Sequence, residues 1–276
     1  MEAEKFIREN LPSSSDDSLV TYVDKSTAKI MDFAVDLAAD ILVHGGELWR
    51  VELIVKDILE VYDFKNINLF MLPHTIILST QADKREPVFR QREVGGMHIN
   101  SDRLSQLNRL IRKVKAEKPD PDKLAGLLNE ARESANNYSR LMIVTGMAIA
   151  LASLNFIIGG TVADAVFIAL GIYIVMGADL YLSAVPGTNK MLLTGVGTFL
   201  IGIMFILTSN YGITSNMFHL MVITSIGLIP GIPLINACRE VLCGRILGGA
   251  LLFATAFIET LAVVCGYAVA ISVMGV

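Results

Sequence analysis

The chain has 276 residues, 53% of them hydrophobic and 18% charged, and a formal net charge of −4. Its first 140 residues hold 20 of the 23 Lys and Arg and 23 of the 27 Asp and Glu, which leaves three basic and four acidic residues for the last 136. That division excludes collagen, a coiled coil, a disordered chain and an ordinary soluble enzyme, offers no basic field to nucleic acid, and marks the second half as membrane-embedded.

Residues 1–25, with the run Pro12-Ser13-Ser14-Ser15-Asp16-Asp17-Ser18, read as a mobile polar tail. No apolar core of a signal peptide lies in the first thirty residues, so the N-terminus is expected to stay in the cytoplasm. From Ser26, Ile30, Phe33, Ala34, Leu37, Ala38, Ile41 and Leu42 follow helical spacing up to Gly45-Gly46. A second helix follows, with Val51, Ile54, Val55, Ile58 and Leu59 as its apolar stripe and Glu47 in its first turn. Between Asn66 and Val94 the period shortens to that of three short strands, with turns at Pro73-His74 and at 83–87. Asn100 or Ser101 then caps a helix carrying Leu104, Leu107, Leu110, Ile111 and Val114, and Pro119-Asp120-Pro121 separates it from a helix over about 122–135. Residues 26–137 are thus expected to form a cytoplasmic α+β domain.

The remainder, 138–276, is expected to be a bundle of five transmembrane helices, making the whole a mostly α membrane protein. Its apolar runs lie at about 141–158, 163–182, 190–209, 217–235 and 246–274, and each is long enough to cross ~30 Å of hydrocarbon. Gly159-Gly160, 186–189, 209–212 and the polar stretch 236–245 separate them. Arg132 and Arg140 precede the first run, Lys190 lies in the second connection, and Arg239 and Arg245 lie in the fourth. The first and third connections carry no Lys or Arg. The positive-inside rule then predicts a cytoplasmic N-terminus and an external C-terminus; the inner membrane is the expected location.

Four segments resemble the threonine/serine exporter family: His44-Gly45-Gly46-Glu47-Leu48-Trp49-Arg50-Val51-Glu52, the stretch Asn100 to Leu110, Gly159-Gly160 with Asp164-Ala165, and Pro230-Gly231-Ile232-Pro233-Leu234-Ile235-Asn236-Ala237-Cys238-Arg239-Glu240. The resemblance covers about residues 26–270 and implies export of small hydrophilic metabolites, threonine and serine or, in a two-subunit variant, a dicarboxylate such as succinate. The chain resembles the longer subunit of that variant. Single-chain members continue into further spans, so the resemblance implies a separate short membrane subunit or self-association. In the soluble half it rests on Arg50, Glu52, Asn100, Asp102, Arg103 and Asn108.

Five ionisable residues and one amide stand out in the membrane half. Glu259 sits near the middle of the fifth run, where a charge costs ~3 kcal/mol, and reads either as a pathway group or as a protonated interhelical hydrogen-bond partner. Asp164 reads equally as a pathway residue or as a helix cap. Asp179, fifteen residues on, lines an inner vestibule or lies at the headgroups. Pro230-Gly231-Ile232-Pro233 breaks the fourth run, and broken helices at membrane depth line cavities or are buried in protein. Asn236, Arg239 and Glu240 follow, with Arg239 either attracting a carboxylate or anchoring the helix in a pair with Glu240. Gly195-Val196-Gly197 reads as helix packing.

His44, His74 and His98 lack ligand spacing, Cys238, Cys243 and Cys265 imply neither disulfide nor zinc, and no nucleotide-binding glycine loop is present. No cofactor and no catalysis are expected, and uphill transport would use an ion gradient. The leading reading is a secondary exporter subunit with a small-molecule substrate. The alternative is a membrane-anchored ligand-binding or sensor protein.

Overall fold

The computed structural model describes residues 25–81, 88–97, 99–135, 138–182 and 190–275. Residues 1–24 of the expected tail, the turn at 83–87, His98 and the connection at 186–189 lie outside the described residues. The chain divides into two compact units.

The first unit runs to Gly46 and resumes from Arg50 to Ser134. It contains α1 (Lys25–Val43), most of α2 (Leu48–Val61), β1 (Lys65–Leu72), β2 (Thr75–Gln81), β3 (Val88–Glu93), α3 (Ser101–Glu117) and α4 (Pro121–Glu133). The apolar stripe of α1 is buried throughout, and α1 stops where Gly45 takes φ +97° and the Gly46 N–H bonds back to the Ile41 carbonyl at 2.8 Å. The three strands form an antiparallel meander, β1-β2-β3. The β1–β2 register shifts between Lys65 and Asn68, where Asn66 takes the left-handed conformation that asparagine tolerates. Ile76, Leu78 and Thr80 of β2 are buried, whereas Phe70 and Phe89 on the neighbouring strands are exposed.

α1 packs against β2, β3 and α4. Its acidic side chains fall four residues apart on one face and each meets an arginine: Asp32 with Arg90 at 2.7 Å, Asp36 with Arg92 at 2.6 Å, and Asp40 with Arg132 at 2.6 Å. α2 and α3 run in the same direction, joined by Arg50–Asn108 at 3.3 Å and Asp57–Lys115 at 2.6 Å, and just past their C-terminal ends Asp63 meets Lys118 at 2.7 Å.

The second unit comprises Ala135 onward together with three residues from far earlier in the chain, Glu47–Trp49. Its helices are α5 (Arg140–Ile157), α6 (Val162–Leu182), α7 (Lys190–Asn210), α8 (Met217–Leu228), α9 (Gly231–Leu242) and α10 (Ile246–Met274). Among the described residues, Arg140–Ile157, Met191–Asn210 and Ile246–Met274 are long and apolar enough to cross a membrane, Met217–Leu228 and Gly231–Leu242 qualify as a pair bent by 57°, and Val162–Ala178 is a shorter apolar stretch. Five runs were expected, the fourth of them broken at Pro230; the structure gives, among the described residues, three unbroken candidates, or four with the bent pair taken as one.

Proline chemistry makes the bend. Pro230 drives the preceding Ile229 into an extended conformation, φ −71° and ψ 130°, which ends α8. Pro233 then falls in the first turn of α9, where its missing N–H would have had no helical partner. Residues 236–245, expected as a polar connection, are instead helical as far as Leu242, so the true connection is three residues long.

Small residues set the tightest helix contact. On α7, Gly195, Thr198 and Gly202 face Ala262, Gly266 and Ala270 of α10, and a Cβ built on Gly202 would lie 2.8 Å from that of Ala270. Gly197 faces Val175 of α6, so the two neighbouring glycines of α7 serve two different helix contacts. The numbers on both sides of the α7–α10 seam rise together, so these two helices run parallel. Outside the core, Leu141, Ile149, Ile157, Val162, Leu192 and Leu200 are exposed, as a lipid-facing surface requires.

Candidate functional site

The bend frees α9 to carry a polar face inside an apolar unit. Asn236 and Glu240, one turn apart, are both buried, Glu240 completely. The Trp49 backbone N–H donates to Glu240 Oε1 at 3.2 Å, and the Leu48 N–H contributes as well. Leu48 and Trp49 are the first two residues of α2, so the carboxylate sits where a helix N-terminus presents unbonded N–H groups and a positive dipole. Glu240 Oε2 and the Trp49 indole N–H are buried and have no hydrogen-bond partner among the described residues.

Arg239 pairs with Glu47 through Nη1 and Oε1. The Arg239–Glu240 pair weighed from the sequence does not form, because adjacent helical residues point about 100° apart. One carboxylate, Glu47, thus meets the guanidinium, while the other, Glu240, faces the start of α2. Gly248 on α10 meets the Leu48 side chain, and Gly249 lets α10 cross close to Ala237 and Val241 of α9.

A second polar cluster ties together the connections that precede α6 and α8. Thr161 and Asp164 form a reciprocal cap: the Thr161 N–H donates to Asp164 Oδ2 at 2.7 Å, and the Asp164 N–H donates to Thr161 Oγ1 at 3.2 Å. The Ser215 N–H and hydroxyl, fifty-one residues away, donate to the same carboxylate at 2.8 Å each. With the Thr161 hydroxyl also at 2.8 Å, Asp164 accepts four hydrogen bonds and is fully buried. Of its two sequence readings, the structure supports the cap and extends it to a staple. Asn155 continues the network, donating to the Thr161 carbonyl at 3.0 Å and meeting His219 Nε2 at 2.9 Å through its Oδ1.

Neither Asn155 nor His219 was singled out from the sequence. A lone amide and a lone imidazole in apolar runs were the available signals, and their separation of 64 residues hid their pairing.

Glu259 is half-buried, and no hydrogen bond to its carboxylate forms among the described residues. It sits near the centre of its own run, but it precedes Ala262 by one turn, and Ala262 lies against Gly195. That register puts Glu259 level with the first turn of α7, which starts at Lys190. Since α10 has 29 residues, ~43 Å at 1.5 Å each, its midpoint is not the midpoint of its neighbour. Asp179 belongs to α6, and its side chain lies outside the described residues.

In the first unit the motif residues divide. Arg50 and Asn108 face each other and line a cleft of about 500 Å³ with Ile54, Ser101, Leu104, Ser105, Ile111 and Arg112. Asn100 caps α3 by accepting from the Arg103 N–H at 2.9 Å. Glu52 pairs with Lys56 at 2.6 Å. Asp102 occupies the first turn of α3, favourable for an anion, and Arg103 buries Nε and Nη1 with no partner among the described residues.

The threonine/serine exporter family model (ThrE) matches residues 32–274. A curated relative, "Probable threonine/serine exporter" of Mycobacterium tuberculosis, is 24% identical over 188 residues, which cover 64% of this chain and 36% of the relative. The chain therefore spans about a third of the length of that relative. No solved structure matches the chain.

Proposed function

Because the chain belongs to the threonine/serine exporter family, we propose that it is a subunit of a secondary transporter that exports small carboxylate-bearing metabolites across the inner membrane. The family is one of exporters, not of enzymes. The observation that carries the reading is the broken α8–α9 pair, whose second helix holds the buried Glu240 and Asn236 in an otherwise apolar unit. An inert anchor needs neither a bend nor buried polar groups in its spans.

In this reading α5, α6, α7, the bent pair and α10 cross the membrane, with the N-terminus cytoplasmic and the C-terminus outside. Substrate passes along α9 and α10. Asn236 and Glu240 provide polar contacts on the way, Arg239 exchanges its Glu47 partner for a substrate carboxylate, and Glu259 carries a coupling proton at the level where α7 begins. Asp179 lines the inner vestibule. Threonine, serine and a dicarboxylate such as succinate are the candidate substrates, and a separately encoded short membrane subunit or a second copy completes the path.

The test is counterflow in proteoliposomes loaded in turn with labelled threonine, serine and succinate, with and without the short subunit, for the parent and Glu259→Gln. We expect the parent to export one of the three under a pH gradient. The amide, which keeps hydrogen bonding but cannot titrate, should allow passive exchange and abolish gradient-driven export. Transport of none of the three under either condition would refute the exporter reading. Full gradient-driven export by Glu259→Gln would refute the proton role alone.

A further inference from the structure

The α2–α3 pair of the first unit, with the residues just past its C-terminal ends, is held by a ladder of opposed polar side chains in which each position meets one 55 or 58 residues later. Two rungs are ion pairs, Asp57 with Lys115 and Asp63 with Lys118. The remaining rung sets a cation against a neutral amide: Arg50 Nη2 reaches Asn108 Oδ1 at 3.3 Å. A carboxylate at that rung would complete the pattern, and the chain supplies none.

The cleft opens at this rung. Arg112, one turn beyond Asn108 on α3, adds a second guanidinium, and Ser101 and Ser105 add hydroxyls on the same face. No Asp or Glu lines the cleft, and neither arginine has an ion-pair partner among the described residues. Between the polar groups lie Ile54, Leu104 and Ile111, an apolar wall that suits carbon rather than water. Guanidinium groups bind carboxylates in fixed fork geometry, and the volume of about 500 Å³ admits a small molecule.

We propose that the α2–α3 cleft is a binding site for a small organic dianion, whose acidic groups meet Arg50 and Arg112 while its carbon skeleton lies on Ile54, Leu104 and Ile111. The apolar wall separates this ligand class from inorganic phosphate, which has no carbon to place there. The site belongs to the first unit and stands whether or not the second unit transports.

Isothermal titration calorimetry on the purified full chain in detergent, with succinate as the probe and inorganic phosphate as comparator, tests it. Succinate should bind saturably. Arg50→Ala and Arg112→Ala should each weaken it by at least about tenfold, the usual worth of a hydrogen bond to a charged group, whereas Arg109→Ala on the exposed surface of α3 should not change it. Asn108→Asp supplies the missing carboxylate from within and should abolish succinate binding while raising the melting temperature. That variant keeps the test informative if an arginine variant folds poorly. Absence of saturable succinate binding by the parent, parent-like affinity in both Arg50→Ala and Asn108→Asp, or phosphate binding tighter than succinate would each overturn the assignment.

Discussion

The two units treat charge in opposite ways. In the first, Asp32, Asp36 and Asp40 line one face of α1 and each meets an arginine at a half-exposed surface. Water screens such pairs, and each contributes ~0–1 kcal/mol. In the second unit Asp164 accepts four hydrogen bonds in full burial, and Glu240 is as deeply buried with one oxygen unpartnered among the described residues. A carboxylate is therefore a repeated, replaceable part in one unit and a scarce fixture in the other.

The largest effect that would sharpen this contrast is expected at Asp164. Replacing it with alanine strips the acceptor from Thr161 and Ser215 at once and should destabilise the second unit by ~3–5 kcal/mol, read as a fall in melting temperature and in membrane abundance. A melt within a degree of the parent would break the comparison. Next comes Gly266→Ala, whose new methyl would run into the Gly195 carbonyl and the Thr198 hydroxyl. Forcing α7 and α10 apart should cost ~1–3 kcal/mol, and a stability equal to the parent would show that the seam yields freely.

The smallest effect is expected at Asp36. Burial pushes its carboxyl above the usual range, and Arg92 and Arg132 partly offset the rise. Since the folded form then holds the proton more firmly than the unfolded form, this contribution to stability is present below the unfolded value near 3.8 and is lost as pH rises through the folded value. Asp36→Asn should therefore flatten the pH dependence of unfolding in the acid range and change stability at neutral pH by ~1 kcal/mol or less. An unchanged acid-range slope would remove Asp36 from the account.

Sequence periodicity identified the elements of the first unit because their apolar stripes are one-sided and their caps are local: Gly45-Gly46, Asn100 and Asp120-Pro121 announce helix ends directly. The break at Pro230 was legible for the same reason. Three features were not. Residues 236–242 carry charges that mimic a loop, yet α9 buries Glu240 and Asn236 on its inner side. The depth of Glu259 depends on how α10 is offset against α7, which hydropathy along one helix does not encode. Arg239 finds its partner 192 residues away at Glu47, so the neighbour in sequence was the wrong candidate.

The three residues Glu47–Trp49 also bear on how the molecule can be taken apart. They are encoded inside the polar half yet belong with the apolar half, so a cut near residue 135 does not separate two self-sufficient pieces. A fragment ending there carries away the ion-pair partner of Arg239 and the amides that face Glu240, and leaves a buried carboxylate with nothing to receive it. Sequence order and structural membership part company at this one turn, and a split at the obvious compositional boundary would separate Glu47–Trp49 from the unit to which they belong.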